Sequence, residues 1–175
     1  MSVDERMVHD IVQKVMANMQ ISGSVSGMHG VFKDMNDAIN ASIEAQKKVC
    51  TMTLDQRAQI ISLIRKKTHE NAEILANMGV NETGMGNVGD KILIHHLTAD
   101  KVPGTEDIST IAWSGDRGLT LVEMGPFGVI GAITPATNPS ETVICNCIGM
   151  LAGGNTVVFN PHPNAKKTTI YTINM

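Results

Sequence analysis

The chain has 175 residues, 42% apolar and 18% charged, with a formal net charge of −3, which is enough for one globular domain or two small ones. Fourteen basic residues against 17 acidic ones argue against an electrostatic nucleic-acid binder. No run approaches the ~18 uninterrupted apolar residues of a membrane helix, and the start lacks the basic and apolar regions of a secretory signal. Three cysteines do not make a disulfide framework, so a reducing cytoplasm is expected.

Residues 1–19 form a separable unit. Val8, Ile11, Val12, Val15, Met16 and Met19 keep one face of a helix apolar, and Ser2 with Glu5 fits a capping box. Residues 20–31 are rich in Gly and Ser, the composition of a flexible linker. The apolar stripe needs a surface to cover it. Docking on its own domain and docking on a partner groove both answer that need. A membrane surface suits it less, because the polar face has no basic cluster.

From Phe32 onward the chain reads as folded, beginning with a helical half. The periodicity predicts helices over Asp34–Val49, over Leu54–Met78 with Arg57, Arg65, Lys66 and Lys67 solvated, and from Val88 to Leu97 or a little beyond. Glu82-Thr83-Gly84-Met85-Gly86 breaks the second of these. Adjacent His95 and His96 point to different faces and cannot share a metal as an i, i+4 pair does, so no metal site is expected. Each reads as a solvated or core histidine.

After Pro103-Gly104 the period shortens. Ile108–Trp113 and Leu119–Met124 alternate as strands joined by the loop Ser114–Gly118. Phe127–Ile133 reads as a buried strand, Pro139–Leu151 as a helix and Asn155–Phe159 as a second apolar strand. Together they make a βαβ unit, and the fold class is α/β. Ligands in such sheets bind beyond the carboxyl ends of the strands, here Thr134 to Asn138 and Asn160 to Pro163.

Gly125, Gly128 and Gly131 are spaced G-x-x-G-x-x-G and precede the turn, so they fail as a dinucleotide fingerprint. Asn138, followed by Pro139 and by Glu141 three residues on, is open to two readings. One is a helix N-cap with an N1 proline and an N3 acid. The other is an amide donor placed at a strand-to-helix turn to stabilise an oxyanion. Cys145 and Cys147 lie on different faces of an apolar helix and read as buried, inert thiols, while Cys50 sits at a helix end without a base.

The run GLTLVEMGPFGVIGAITPATNPSETVICNCIGMLAGGNTVVFNPHPNAKK, with Glu82–Gly86, Thr105-Glu106-Asp107 and Gly115–Thr120, resembles the N-terminal part of the CoA-acylating aldehyde dehydrogenases of bacterial microcompartments, the ethanolamine- and propanediol-utilisation type. The resemblance spans the chain from Phe32. It implies a Rossmann-like cofactor domain over 32–175, incomplete here, and an enzyme that takes a short-chain aldehyde, NAD and coenzyme A to acyl-CoA and NADH. Asn138 would be the oxyanion amide. Thr134, Pro135, Ala136 and Thr137 would line the nicotinamide side, and Asn160, Pro161, His162 and Pro163 the adenosine side. Hydrolytic relatives usually carry lysine at Asn160 and Pro-Trp-Asn where Pro135–Asn138 stands, so both departures favour the acylating branch.

The resemblance further implies that residues 2–19 act as an encapsulation helix docking on a shell protein or other cargo, placing the enzyme in the cytoplasm inside a microcompartment. The hairpin 108–124 would be an oligomerisation arm. None of the three cysteines matches the family's nucleophile, which is expected beyond residue 175, so the isolated chain is expected to have no turnover. Two alternatives stand beside this: a truncated product working through its N-terminal helix, and the aldehyde domain of a bifunctional aldehyde–alcohol dehydrogenase.

Overall fold

The structure, a computed structural model, describes residues 29–175. The predicted helix at 1–19, with its stripe from Val8 to Met19, and most of the linker lie outside the described residues.

Helix α1 (Met35–Val49) starts where Asp34 accepts a hydrogen bond from the Asn36 amide at 2.8 Å, satisfying one of the donors every helix start leaves open. Helix α2 (Leu54–Thr83) is thirty residues long and opens on a full capping box, with Thr53 and Gln56 each bonding the other's backbone. It runs past the predicted end at Met78. The stop comes at Gly84, whose φ of 69° is open to glycine at little cost. Helix α3 (Val88–Lys101) is capped by Asn87.

Two predicted surface cations are in fact structural. Arg57 donates to the Ala152 carbonyl at 2.5 Å, and Arg65 donates to the Val102 carbonyl and to Glu106. Their long stems let the guanidinium groups reach orphan carbonyls while the helix positions still read as polar.

Strands β1 (Ile111–Gly115) and β2 (Gly118–Val122) form an antiparallel hairpin in the register Ile111↔Val122 to Gly115↔Gly118. The predicted five-residue loop therefore shrinks to Asp116-Arg117, because Ser114 and Gly115 still pair. Every residue of both strands is exposed.

The βαβ unit follows: β3 (Val129–Thr134), α4 (Pro139–Ala152) and β4 (Thr156–Pro161), with β3 and β4 parallel from Val129↔Thr156 to Thr134↔Pro161. A last helix, α5 (Lys166–Asn174), closes the order.

The expected burial of β3 is corrected. Ala132 and Thr134 are buried, whereas Ile133 is 85% exposed and Phe127 95%. Among the described residues the sheet has two strands, and at these positions only one of its faces is covered. The core sits between α2 and α4: Ile61 and Leu75 meet Ile144, Ile148 and Ala152. Fully burying each of the isoleucine and leucine side chains is worth about 1.5–3 kcal/mol. Among the described residues, no helix is long and apolar enough to cross a membrane.

Candidate functional site

Parallel pairing brings the two strand ends together. The His162 amide donates to the Thr134 carbonyl at 3.1 Å, so the segments 134–138 and 160–163 leave the same edge of the sheet. Pro135, Thr137, Asn138, Asn160, His162 and Pro163 are exposed there, Ala136 and Pro161 are half-buried, and Thr134 is buried. Apart from buried Thr134, the predicted site residues thus share one surface. The Thr134 Oγ1 is buried without a hydrogen-bond partner. His162 is already engaged, its Nδ1 accepting from the Asn164 amide at 3.1 Å to cap a short turn. A shallow cleft beside this border, lined by Asn81, Glu82, Pro163 and Lys167, lies away from Asn138 and brings no reactive group together.

At Asn138 the two readings separate. The residue precedes α4, yet its side chain makes no cap hydrogen bond. Its Oδ1 instead accepts from Lys91 Nζ at 2.6 Å. Lys91 also donates to the Thr137 carbonyl at 2.6 Å and to Glu141 Oε1 at 3.0 Å. An ammonium has three donors and no acceptor, so all three are used. The atom it faces on Asn138 must be the oxygen, which leaves Nδ2 as a donor aimed elsewhere.

Glu141 is likewise no capping-box acid. It is 5% exposed and paired with Lys91, also 5% exposed. Ser140 stands within 3.1 Å of its other oxygen. His95, fully buried, extends the cluster. Its Nδ1 lies 2.6 Å from the Lys91 carbonyl and its Nε2 lies 2.8 Å from Ser140 Oγ. A carbonyl only accepts, so Nδ1 carries the proton. Burial disfavours the imidazolium and outweighs the pull of Glu141, holding the His95 pKa below its ordinary value. The ring is therefore neutral at pH 7, and its Nε2 faces the Ser140 hydroxyl, which also stands against Glu141 Oε2.

Lys91 escaped the sequence reading. The available signal was its spacing: Lys91, His95 and Ala99 recur every four residues, and all three are buried on one face of α3. His95 is a core histidine as expected. His96 instead meets His69, with Nδ1 atoms 2.7 Å apart and Asp100 on the far side of His69.

The thiols divide as well. Burial pushes the Cys147 pKa up to about 12, keeping it protonated. Cys145, expected to be buried, is exposed, because position 145 falls outside the stripe made by Val143, Ile144 and Ile148. Among the described residues, no group of three or more His, Cys, Asp or Glu side chains converges as a metal site.

A parallel βαβ unit preceded by a helical half, with Asn138 at the strand-to-helix turn, places the chain in the α/β class. The aldehyde dehydrogenase family matches residues 14–175, and the chain belongs to that family. It is 46% identical over 174 residues to the acetaldehyde dehydrogenase (acetylating) of Bilophila wadsworthia, covering 94% of this chain and 36% of the relative. It is 44% identical over 146 residues to the propanal dehydrogenase (CoA-propanoylating) of Salmonella typhimurium, covering 83% of the chain and 32% of the relative.

Among solved structures it resembles the propionaldehyde dehydrogenase from the Clostridium phytofermentans fucose utilisation bacterial microcompartment, at 74% identity and a TM-score of 0.79, over 82% of this chain and 33% of that one. The Rhodopseudomonas palustris propionaldehyde dehydrogenase with bound propionyl-CoA is 48% identical with a TM-score of 0.80, over 83% and 32%. The chain spans about a third of the length of the relatives it matches.

Proposed function

We propose that these residues form the oxyanion side of the cofactor cleft in a CoA-acylating aldehyde dehydrogenase, which converts a short-chain aldehyde, NAD and coenzyme A to acyl-CoA and NADH. The observation that carries this reading is the Asn138 amide, released from capping duty at the exposed strand-to-helix turn. In the reaction a cysteine thiolate adds to the aldehyde carbon and its oxygen becomes an oxyanion. A bound NAD would accept a hydride from that carbon, and the thioester so left would pass its acyl group to the CoA thiol. The negative oxygen forms twice, and a fixed N–H donor is worth most at that moment.

The reacting thiol is none of the three here. Cys147 is held protonated, Cys50 ends α1 and Cys145 lies in the second turn of α4. A structure of the R. palustris enzyme carries bound CoA and an acylated cysteine, which supports a thiol from another part of the enzyme. NAD, when bound, supplies the hydride acceptor. The exposed edge made by Pro135, Thr137, Asn160 and His162 suits a dinucleotide, and Thr134, buried beneath it at the end of β3, has an unpartnered hydroxyl.

Residues 2–19 direct the enzyme to a microcompartment by docking Val8, Ile11, Val12, Val15, Met16 and Met19 on a shell protein or another cargo molecule. The microcompartment origin of the C. phytofermentans relative supports this. The exposed hairpin, with Trp113, Leu119 and Leu121 outward, is the oligomerisation arm.

The test replaces the matching third of the C. phytofermentans enzyme with this chain. CoA-dependent NADH formation from propionaldehyde is expected, and Asn138→Ala should lower kcat about 10²–10³-fold. Turnover without CoA, or an unchanged kcat in the variant, would overturn the reading. For targeting, a reporter fused to residues 1–20 should collect in microcompartments, and cytosolic spread would overturn that part.

A further inference from the structure

We infer that Lys91 is a positioning residue for the proposed oxyanion site: it sets which way the Asn138 amide faces and so makes Nδ2 available to the reacting oxygen. The inference rests on the oxyanion reading of Asn138 and goes one residue deeper.

An asparagine directly before a helix that begins with proline normally turns its oxygen inward to the free amides of the first turn. Asn138 does not, although the helix start offers those amides. The competing donor is Lys91 Nζ, 2.6 Å from Oδ1. Its geometry leaves little freedom, since the ammonium is also fixed by the Thr137 carbonyl at 2.6 Å and Glu141 Oε1 at 3.0 Å. Two of these three acceptors belong to the turn and the third to the first turn of α4, so Lys91 locks that segment from the opposite wall formed by α3.

The lock is itself braced. His95, one helical turn after Lys91, contacts the Lys91 carbonyl and Ser140, and Ser140 borders Glu141. A terminal amide torsion is otherwise broad. Without the cation, the amide can swing to the cap position and withdraw its donor. A misplacement of about 1 Å in a catalytic contact costs about 10²-fold in rate.

The first measurement needs no turnover. In 15N relaxation of the 175-residue chain, the Asn138 side-chain NH2 should be ordered, and Lys91→Met should loosen it while backbone amides of α3 and α4 keep their order. The second uses the chimeric enzyme. Lys91→Met should lower kcat by about 10²-fold, leave the aldehyde KM within about threefold, and cost nothing further in an Asn138→Ala background. Because Lys91→Met strands the Glu141 charge, Lys91→Met/Glu141→Leu serves as the second variant, with both charges removed and the same loss expected.

An Asn138 amide that stays ordered in both variants overturns the inference. So does a kcat unchanged by Lys91→Met when Asn138→Ala is slow. If Asn138→Ala itself leaves kcat unchanged, the oxyanion reading falls instead.

Discussion

Glu82, in the last turn of α2, takes three hydrogen bonds from the first turn of α5. The Thr168 amide and hydroxyl each reach its Oε2 at 2.7 Å, and the Lys167 amide reaches Oε1 at 2.8 Å. One carboxylate thus caps a helix from 86 residues away, at the end where the helix dipole favours negative charge. Partial burial pushes its pKa up, but the bonds from the Thr168 hydroxyl, the Thr168 amide and the Lys167 amide outweigh it, and the net displacement is downward. A lowered folded pKa contributes stability above the unfolded value of about 4.3, lost as pH falls through the folded value. Glu82→Gln should therefore cost about 1–2 kcal/mol at pH 7 and much less near pH 3. Urea unfolding at the two pH values checks this, and an equal cost at both would contradict it.

What could be read from the residues alone follows sequence distance. The helical half, the hairpin, the βαβ unit and the turn at Asn138 were legible because apolar period, prolines and glycines act within a few residues. The contacts that decide roles are remote. Lys91 meets Asn138 across 47 residues. Gln46 holds the Thr156 amide and the Gly154 carbonyl across more than a hundred. Local pattern offered a cap reading for Asn138 and Glu141 beside the oxyanion reading, and a buried cation from another helix diverts both side chains from capping. Lys66 and Lys67 read as solvated and are exposed, whereas Arg57 and Arg65 in the same helix are bound to carbonyls. The distinction lies in what stands opposite, which no periodicity contains.

His95 gives the fold a defined response to acid. Its folded pKa is lowered by burial, so below its unfolded value of about 6.5 the unfolded chain binds a proton that the folded chain resists. Stability contributed by the neutral ring is full above that pH and declines toward the folded pKa, by up to about 1.4 kcal/mol per pH unit. His95→Gln removes the titrating group and keeps both a donor and an acceptor. Between pH 7 and pH 5 the variant should lose less stability than the parent, as measured by denaturant midpoints. Parallel losses would show that His95 does not carry the acid response.

The thiols should separate by reactivity. Cys50 and Cys145 are exposed, whereas the Cys147 pKa is pushed up to about 12, and the thiolate is the reactive form. At pH 8 an aromatic disulfide reagent should label two thiols of the folded chain quickly. The third should appear only with unfolding, and mass spectrometry should locate it at Cys147. Rapid labelling of all three in the folded chain would refute this.

The buried pair Lys91–Glu141, 3.0 Å apart and 6% and 7% exposed at the side chains, should be costly to break on one side and cheap to replace whole. Removing one partner strands a charge away from water, at about 3–5 kcal/mol, whereas replacing both by apolar groups of similar volume is often neutral or better. Lys91→Met alone should therefore lower the unfolding free energy by about 3 kcal/mol. Glu141→Leu alone should cost a similar amount, since the ammonium keeps only the Thr137 carbonyl and Asn138 Oδ1 as acceptors. The double variant should be more stable than either single one. Costs that simply add would mean that the two charges are each solvated independently, and that Lys91 is not held in place by Glu141.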